Sequence, residues 1–389
     1  MGEKLNNNLP NINNLRNINL SNNAIFPSSF AFEFITVNEI VNTISSLKNR
    51  KSTGADGLGA KLIFEAKEIF APILQHIFNF SVTSGIFPHE MKIAKIIPIP
   101  KNKNDLTSIV NYRPISLLSI FSKVFETIMS NRIRKFLNKF NILYKFQFGF
   151  REKHSTTLAL INSFDDIIRN LGNGDLVAGL FLDLSKAFDS LNHGILFDKL
   201  FNIGIRGIML KWIKSYFSDR MQFTCVNQTE SSYGEVKFGV PQGSVLGPLL
   251  FIVYINDIGS IPGLKFLPKL FADDANVFVH AKNFNELQIQ SQNTLNLLTE
   301  WLLLNRLTIN IKKTCYIIFT PHSSNIIPND FTLKVDNSPI DRVEQSKFLG
   351  VQVDSKLNWG LHIKELCIQL RRYVGIFFIN LASLYLKVF

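Results

Sequence analysis

The stretch Leu270-Phe271-Ala272-Asp273-Asp274-Ala275-Asn276-Val277-Phe278-Val279 sets two carboxylates inside an otherwise apolar, strand-like run. Such a pair is costly to desolvate unless something cationic receives it, and a metal ion is the natural receiver. The apolar residues on either side read as two short strands, which places Asp273-Asp274 at a hairpin turn, an exposed tip on which both side chains can be aimed. Taken alone, Asp-Asp is also ordinary turn chemistry, because Asp bonds its own backbone and tolerates turn geometry. A third carboxylate breaks the tie. Asp183 emerges from the strand-like run Leu176–Leu184, after Gly179-Leu180-Phe181-Leu182. If the two segments are neighbours in one sheet, three carboxylates converge at its edge.

Composition frames this cluster. The chain has 389 residues, 46% of them hydrophobic, enough for a large core and two or three subdomains. Its net charge of +12 suits a polyanionic partner better than a small neutral substrate. Between Lys92 and Lys153 there are thirteen basic residues against Asp105, Glu126 and Glu152, so this segment holds +10 of the excess. That is an electrostatic footprint for nucleic acid, the alternative being a solvated helix face. Cys225, Cys315 and Cys367 are isolated, which argues against a disulfide framework or a zinc knuckle and for a reducing compartment. No signal sequence opens the chain and no apolar run is long enough to span a bilayer, so an intracellular protein of nucleus or cytoplasm, not secreted and with no membrane partner, is expected.

The pattern along the chain is α+β, with strands returning to one sheet. The first 23 residues contain ten Asn and read as a disordered leader. Thr36 and Glu39 form a capping box ahead of Ile40, Val41, Ile44 and Leu47, and Ala60 to Ser84 is helical up to Gly85 and Pro88. Lys92–Pro100 reads as a strand with a hairpin tip at Lys101–Asp105. Ile120 to Phe140 repeats apolar residues at three and four, with Lys123, Arg132, Arg134, Lys135 and Lys139 on the other face. Ile195–Phe217 is mostly helical. Pro241-Gln242-Gly243-Ser244 introduces Val245–Ile258, apolar all round and therefore buried. Leu287–Leu303 is helical, Cys315–Phe319 and Phe348–Val353 are strands, and Val374–Phe389 reads as a core-facing helix.

Three carboxylates at a sheet edge are what two Mg²⁺ ions need, with Mn²⁺ as a substitute: hard oxygen ligands and charge to hold the ions about 4 Å apart. Such a pair activates an attacking hydroxyl and neutralises a departing pyrophosphate, the logic of nucleotidyl transfer. The blocks Asn111-Tyr112-Arg113-Pro114-Ile115-Ser116-Leu117, Asp183-Leu184-Ser185-Lys186-Ala187-Phe188-Asp189, Gly239-Val240-Pro241-Gln242-Gly243-Ser244-Val245-Leu246-Gly247-Pro248 and Phe271-Ala272-Asp273-Asp274 resemble, in order and spacing, those of non-LTR (LINE-type, jockey-like) retrotransposon reverse transcriptases. Ile309-Asn310-Ile311-Lys312-Lys313-Thr314 and Phe348-Leu349-Gly350-Val351 look like later palm blocks. Asn358-Trp359 with His362-Ile363 looks like the entry to a thumb. A group II intron or retron polymerase is the runner-up.

The resemblance implies a right-hand polymerase, with fingers, a palm of antiparallel sheet flanked by helices, and a partial helical thumb. Its divisions would be a disordered leader at 1–24, an N-terminal helical extension at 25–85, the reverse transcriptase domain at 86–353 and a truncated thumb at 354–389. It implies an RNA template, a DNA primer or target DNA, and dNTPs as partners. Asp183, Asp273 and Asp274 would be the metal ligands, joined by the Leu184 carbonyl, with Ser185, Lys186 and Ala187 beside the nucleotide. Phe188 would be a steric gate against a 2′-OH, or else a core Phe. Lys101, or its neighbour Lys103, and Arg113 would grip the triphosphate. Gln242 and Gly243 would contact the templating base pair, and Lys313, with Lys312 as rival, would protonate pyrophosphate. Gln147-Phe148-Gly149-Phe150-Arg151 would lie on the template, and Phe348, Leu349 and Gly350 would grip the primer. His193 and His154 read as structural. Only the leader precedes the polymerase blocks, which leaves no room for an endonuclease of about 200 residues. Together with the short thumb this leaves a second expectation, a catalytically silent nucleic-acid-binding remnant.

Overall fold

The computed structural model describes residues 25–47, 52–101, 106–321 and 326–385. The Asn-rich leader, Lys51, Lys103 and the tip after Lys101 lie outside the described residues.

Helix α1 (Val37–Ser46) begins where the capping box places it, with Thr36 Oγ1 accepting from the Glu39 N–H at 3.3 Å. The Glu39 carboxylate turns away to pair with Arg132 at 2.7 Å. The next helical segment divides at Ala66 into α2 (Ala60–Glu65) and α3 (Lys67–Ser84), closed by Gly85 in the left-handed region. Strands β1 (Ala94–Pro100) and β2 (Tyr112–Leu118) form the anticipated hairpin, with Lys101 N–H donating to Asn111 O at 2.7 Å. Helix α4 is Ile120–Lys139 and α5 is Thr156–Gly172. After β3 (Leu176–Leu182) come α6 (Ala187–Ser190), α7 (His193–Asn202), α8 (Gly207–Phe217) and β4 (Met221–Val226). Two short strands, β5 (Thr229–Glu230) and β6 (Gly234–Glu235), lead to α9 (Leu246–Tyr254), every residue of which except Pro248 is buried. Strands β7 (Lys269–Phe271) and β8 (Asp274–Ala281) precede α10 (Phe284–Leu304). The rest comprises β9 (Cys315–Phe319), β10 (Lys334–Val335), β11 (Ser338–Pro339), β12 (Asp341–Arg342), β13 (Gln345–Phe348), β14 (Val351–Asp354) and α11 (Gly360–Tyr385).

The chain divides into two compact units. The first, made of 1–152, 184–262 and 298–308, carries the sheet β2-β1-β4-β5, with β6 paired to β4. Its core is aromatic. Phe125 stacks on Phe78 at 4.1 Å and on Phe87 at 5.6 Å, Trp212 packs edge-on to Phe87 and Phe125, and Tyr216 edge-on to Phe87, each such pair adding about 1 kcal/mol beyond its buried area. The second unit, made of 153–183, 263–297 and 309–389, is built on the sheet β12-β9-β3-β8-β7. β3 runs antiparallel to both β8 and β9, and all seven of its residues are buried, which explains its unbroken apolar reading. Ile167 of α5 and Phe348 and Val353 of the β13–β14 hairpin pack with Val177, Phe181, Phe278, Ile317 and Phe319 of the sheet.

Three expectations change. Phe348–Val353 is not one strand: Leu349 (φ 47°) and Gly350 (φ 91°) turn the chain between β13 and β14. The described part of the C-terminal helix does not face a core: on α11 Leu370, Tyr373, Val374, Phe377 and Phe378 are exposed. The basic segment is less outward-facing than its charge count suggests. Lys92 and Lys123 are buried, Arg132 pairs with Glu39, and Arg134 donates to the Phe150 carbonyl, because α4 packs on more than its apolar stripe. Lys135, Lys139, Lys145 and Lys153 are exposed.

Candidate active site

In the second unit the carboxylates share one sheet edge. The β7–β8 hairpin pairs Phe271 with Asp274, so the turn proper is Ala272-Asp273 and Asp274 opens β8. Ala272 takes φ 57°, the conformation that reverses the chain in so few residues. β3 lies beside β8 with Leu182 opposite Ala275, so the residues that follow Leu182 and precede Ala275, Asp183 and Asp274, leave the sheet at the same end. This is the adjacency on which the three-carboxylate reading depended.

Asp183 is held on every side. Its N–H donates to Thr314 Oγ1 at 3.2 Å, and its carbonyl accepts from the Asn310 N–H at 2.8 Å. Its Oδ2 accepts from Asn310 Nδ2 at 3.1 Å and lies 3.6 Å from Lys313 Nζ. Of the two adjacent lysines, Lys313 is the one that reaches the carboxylate. Withdrawal from water raises the proton affinity of Asp273, and the charge of Asp183 adds to it, while its own backbone N–H and Lys313 oppose it. The Asp274 side chain is solvent-accessible at the tip, yet the protein crowding it, followed by the charges of Asp273 and Asp183, pushes its pKa up to about 6. One lysine therefore answers three carboxylates. Among the described residues no three His, Cys, Asp or Glu side chains are gathered into a ready-made cation cage. The donor set nevertheless fits a hard divalent ion: carboxylate oxygens at one edge, with more negative charge than the protein neutralises.

The other candidate residues belong to the first unit, except Phe348, Leu349 and Gly350. Arg113 and Lys101 are exposed on the β1–β2 hairpin. Ser185 N–H donates to Thr308 O at 2.8 Å, Lys186 sits at φ 47°, and Leu184 and Ala187 are buried. Phe188 is half-buried, stacked on Phe251 at 4.4 Å and edge-on to Phe150 at 6.2 Å. Gly243 has φ 126°, and a Cβ there would stand 2.5 Å from the Ser116 carbonyl, so only glycine fits. Gln242 Nε2 donates to Asp189 Oδ1 at 2.7 Å. Within 147–151 the polar atoms serve the loop itself. Gln147 Oε1 accepts from Gly149 N–H at 2.8 Å, and Arg151 donates to the Tyr144 and Gln147 carbonyls at 2.8 and 3.3 Å. Phe150, at φ 56°, is the member exposed to solvent. Phe348 is buried against Phe181 at 5.6 Å, leaving Leu349-Gly350 as the hairpin tip. His193 bonds the Gly239 carbonyl at 2.9 Å and packs on Phe217, in keeping with a structural role.

A protein-family model described as reverse transcriptase (RNA-dependent DNA polymerase) matches residues 99–353, which take in all three carboxylates. The chain belongs to the reverse transcriptase family. Within it, the chain is of the non-LTR retrotransposon type. It is 32% identical to the probable RNA-directed DNA polymerase from transposon BS of Drosophila melanogaster, over 85% of this chain and 37% of that protein. It is 29% identical to the RNA-directed DNA polymerase from mobile element jockey of the same organism, over 88% of this chain and 37% of that one. The probable RNA-directed DNA polymerase from transposon X-element matches at 28%, over 87% and 37%. This reverse transcriptase chain thus spans a little over a third of the length of these relatives. Among its described residues no helix is long and apolar enough to cross a membrane.

Reading the sequence alone misses four residues that hold candidate groups in place: in the second unit Asn310 and Thr314, which hold Asp183, and in the first Asp189, which holds Gln242, and Glu126. Buried on α4, Glu126 accepts from Val245 N–H at 2.7 Å, Leu246 N–H at 3.1 Å and Ser122 Oγ at 3.0 Å. It caps α9 immediately after the 241–244 turn. Asn310, Thr314 and Asp189 each stand inside a quoted block, which is their available signal; Glu126 has none.

Proposed function

We propose that the chain is an RNA-directed DNA polymerase that extends a primer 3′-OH with dNTPs on an RNA template, in the manner its relatives are named for. The observation that carries this reading is the sheet edge where Asp183 and the Asp273-Asp274 hairpin meet, with Lys313 Nζ 3.6 Å from Asp183. Asp183, Asp273 and Asp274, with the Leu184 carbonyl, would hold two divalent ions, Mg²⁺ first and Mn²⁺ as a substitute. Bound there, the ions would acidify the primer hydroxyl and offset the charge on the departing pyrophosphate.

The protein's own groups do the rest. Asn310 and Thr314 fix the Asp183 backbone and one carboxylate oxygen, so that the ligand is set before substrate arrives. Lys313 is placed to deliver a proton to pyrophosphate. Arg113, with its planar fork of donors, and Lys101 grip the triphosphate, in the neighbourhood of Ser185, Lys186 and Ala187. Phe188, backed by the Phe251 ring, excludes a ribose 2′-OH, while Gln242 and Gly243 meet the templating pair. Phe150 touches the template, and the Leu349-Gly350 tip touches the primer. In this reading residues 86–353 form fingers and palm, 25–85 a helical extension and 354–389 thumb, in a protein working inside the cell.

Primer extension with Mg²⁺ on RNA and DNA templates in parallel tests the proposal. Incorporation by the wild type that Asp273→Asn abolishes supports it; equal incorporation by both proteins refutes it.

A further inference from the structure

A cavity of about 510 Å³ opens in the first unit beside β1, β2, β4 and the 240–242 segment, and Asp189 and Gln242 both line it. The two chain segments that carry this pair are already joined by their backbones. Val240 N–H donates to Phe188 O and Gly239 N–H to Leu191 O, both at 2.9 Å, and His193 Nε2 bonds Gly239 O at 2.9 Å. On the far side of the turn, Ser116 N–H donates to Gln242 O at 2.7 Å. A Cβ on Gly239 would meet Phe188 O at 2.6 Å, a measure of how closely the segments are apposed. The Asp189–Gln242 bridge is therefore not required to bring the segments together. What it adds is the orientation of one amide.

A glutamine amide has a donor end and an acceptor end of nearly equal shape, and without a discriminating partner it can present either. An ionised carboxylate only accepts. Asp189 Oδ1 at 2.7 Å from Nε2 thus turns the donor end toward itself and leaves Oε1 and the second N–H to face other partners. The arrangement has a cost, since burial makes this carboxylate harder to ionise, against the opposing hydrogen bond from Gln242 and the charges of Lys186 and Lys101. A bridge that served packing alone would not need a charge.

We infer that Asp189 is a positioning residue that locks the Gln242 side-chain amide in one orientation, and through it sets the selection of the incoming nucleotide. The second half of this inference rests on the polymerase reading; the first does not. Two measurements on the full chain separate them. In the ¹⁵N-labelled protein, the Gln242 side-chain NH₂ is identified by its loss in Gln242→Ala. Asp189→Ala speeds its solvent exchange about tenfold, the loss of one charge-assisted hydrogen bond, and Asp189→Asn, whose amide offers a donor as readily as an acceptor, falls between wild type and Asp189→Ala. In single-nucleotide incorporation on primed RNA, Asp189→Ala raises the KM of the correct dNTP about tenfold with little change in kcat, Asp189→Asn recovers only part of it, and Asp189→Ala adds nothing in a Gln242→Ala background. Should Asp189→Ala fold poorly, Asp189→Ser removes the same contact. Unchanged exchange in Asp189→Ala, or additive KM effects in the double variant, overturns the inference. A chain that extends no primer at all overturns the polymerase reading instead, and the exchange rates still decide whether Asp189 holds the amide.

Discussion

Two tight turns hold the main candidate site residues of this protein, and they are made in opposite ways. The Ala272-Asp273 turn is produced by its own neighbourhood: apolar β7 and β8 pair directly across it, and Ala272 accepts φ 57° to close it. The 241–244 turn is produced by residues far away in the chain. Ser116 holds its backbone, Asp189 its glutamine, and Glu126 caps the helix that follows, at sequence separations of 53 to 120 for the two acidic partners. A self-made turn can carry mutually repelling charges at its tip, because its geometry does not depend on them. An externally held turn hands each lost partner on to the group that partner held: without Glu126 the start of α9, without Asp189 the Gln242 amide alone.

The largest effect expected from this difference is on activity. Asp273→Asn keeps the hairpin, since the apolar flanks remain, but removes a ligand and should lower primer extension about a thousandfold, the scale of several kcal/mol of lost charge stabilisation. Its melting temperature should stay level or rise, because one of three repelling charges is gone. A fall of many degrees by calorimetry would show that the turn leans on its aspartates after all.

Glu126→Ala probes the other turn. Two N–H groups of the buried α9 and the Ser122 hydroxyl lose their acceptor together, which should cost about 3 kcal/mol in urea denaturation, a cap plus buried unsatisfied donors. Glu126→Gln, which keeps one acceptor oxygen, should recover part of that. An unchanged midpoint in Glu126→Ala would mean that α9 and the 241–244 turn are seated by packing alone.

These two turns also mark what the sequence disclosed. Asp273, Asp274 and Asp183 were legible because carboxylates in apolar strands are a local contradiction, visible without knowing what lies opposite. The capping of α1 by Thr36 and the fully apolar α9 were legible for the same reason, being written within one or two turns of chain. Asn310, Thr314, Asp189 and Glu126 were not, since each acts on a partner at least 53 residues away and looks like an ordinary polar residue where it stands. Charge counting overstated the outward charge in a related way. Lys92, Lys123, Arg132 and Arg134 contribute to the +10 segment, yet burial or carbonyl and carboxylate partners occupy them, which no local count can reveal. The Phe348–Val353 hairpin was read through as a strand although Gly350 stood in it as the turn signal.

A pH titration sharpens the comparison further. In the metal-free protein the folded-state pKa of Asp274 is raised from 3.8 to about 6, so between those values the native state binds more protons than the unfolded one. By linkage the contribution of this group to stability is present below pH 3.8 and lost as pH rises through about 6. Asp274→Asn should therefore melt higher than wild type at pH 8, with the gap closing by about pH 4. Adding Mg²⁺ at pH 8 should raise the wild-type melting temperature and leave the variant nearly unmoved, because the ion supplies the countercharge that the protein lacks. A gap independent of pH would place the strain of this edge elsewhere than in its charges.

The smallest effect belongs to the turn backbone. Ala272 holds a left-handed conformation that costs an L-residue roughly 1–2 kcal/mol, and glycine adopts it freely at the expense of greater unfolded-state entropy. The two terms nearly cancel, so Ala272→Gly should shift stability by less than about 1 kcal/mol in either direction and leave the KM for dNTP unchanged. The opposite substitution in the other turn, Gly243→Ala, has no such cancellation, because its Cβ would stand 2.5 Å from the Ser116 carbonyl and one strand or the other must yield. If Ala272→Gly instead lowered activity steeply at unchanged stability, the hairpin would owe the aim of its carboxylates to alanine's restricted backbone. The self-made turn would then be as finely tuned as the externally held one.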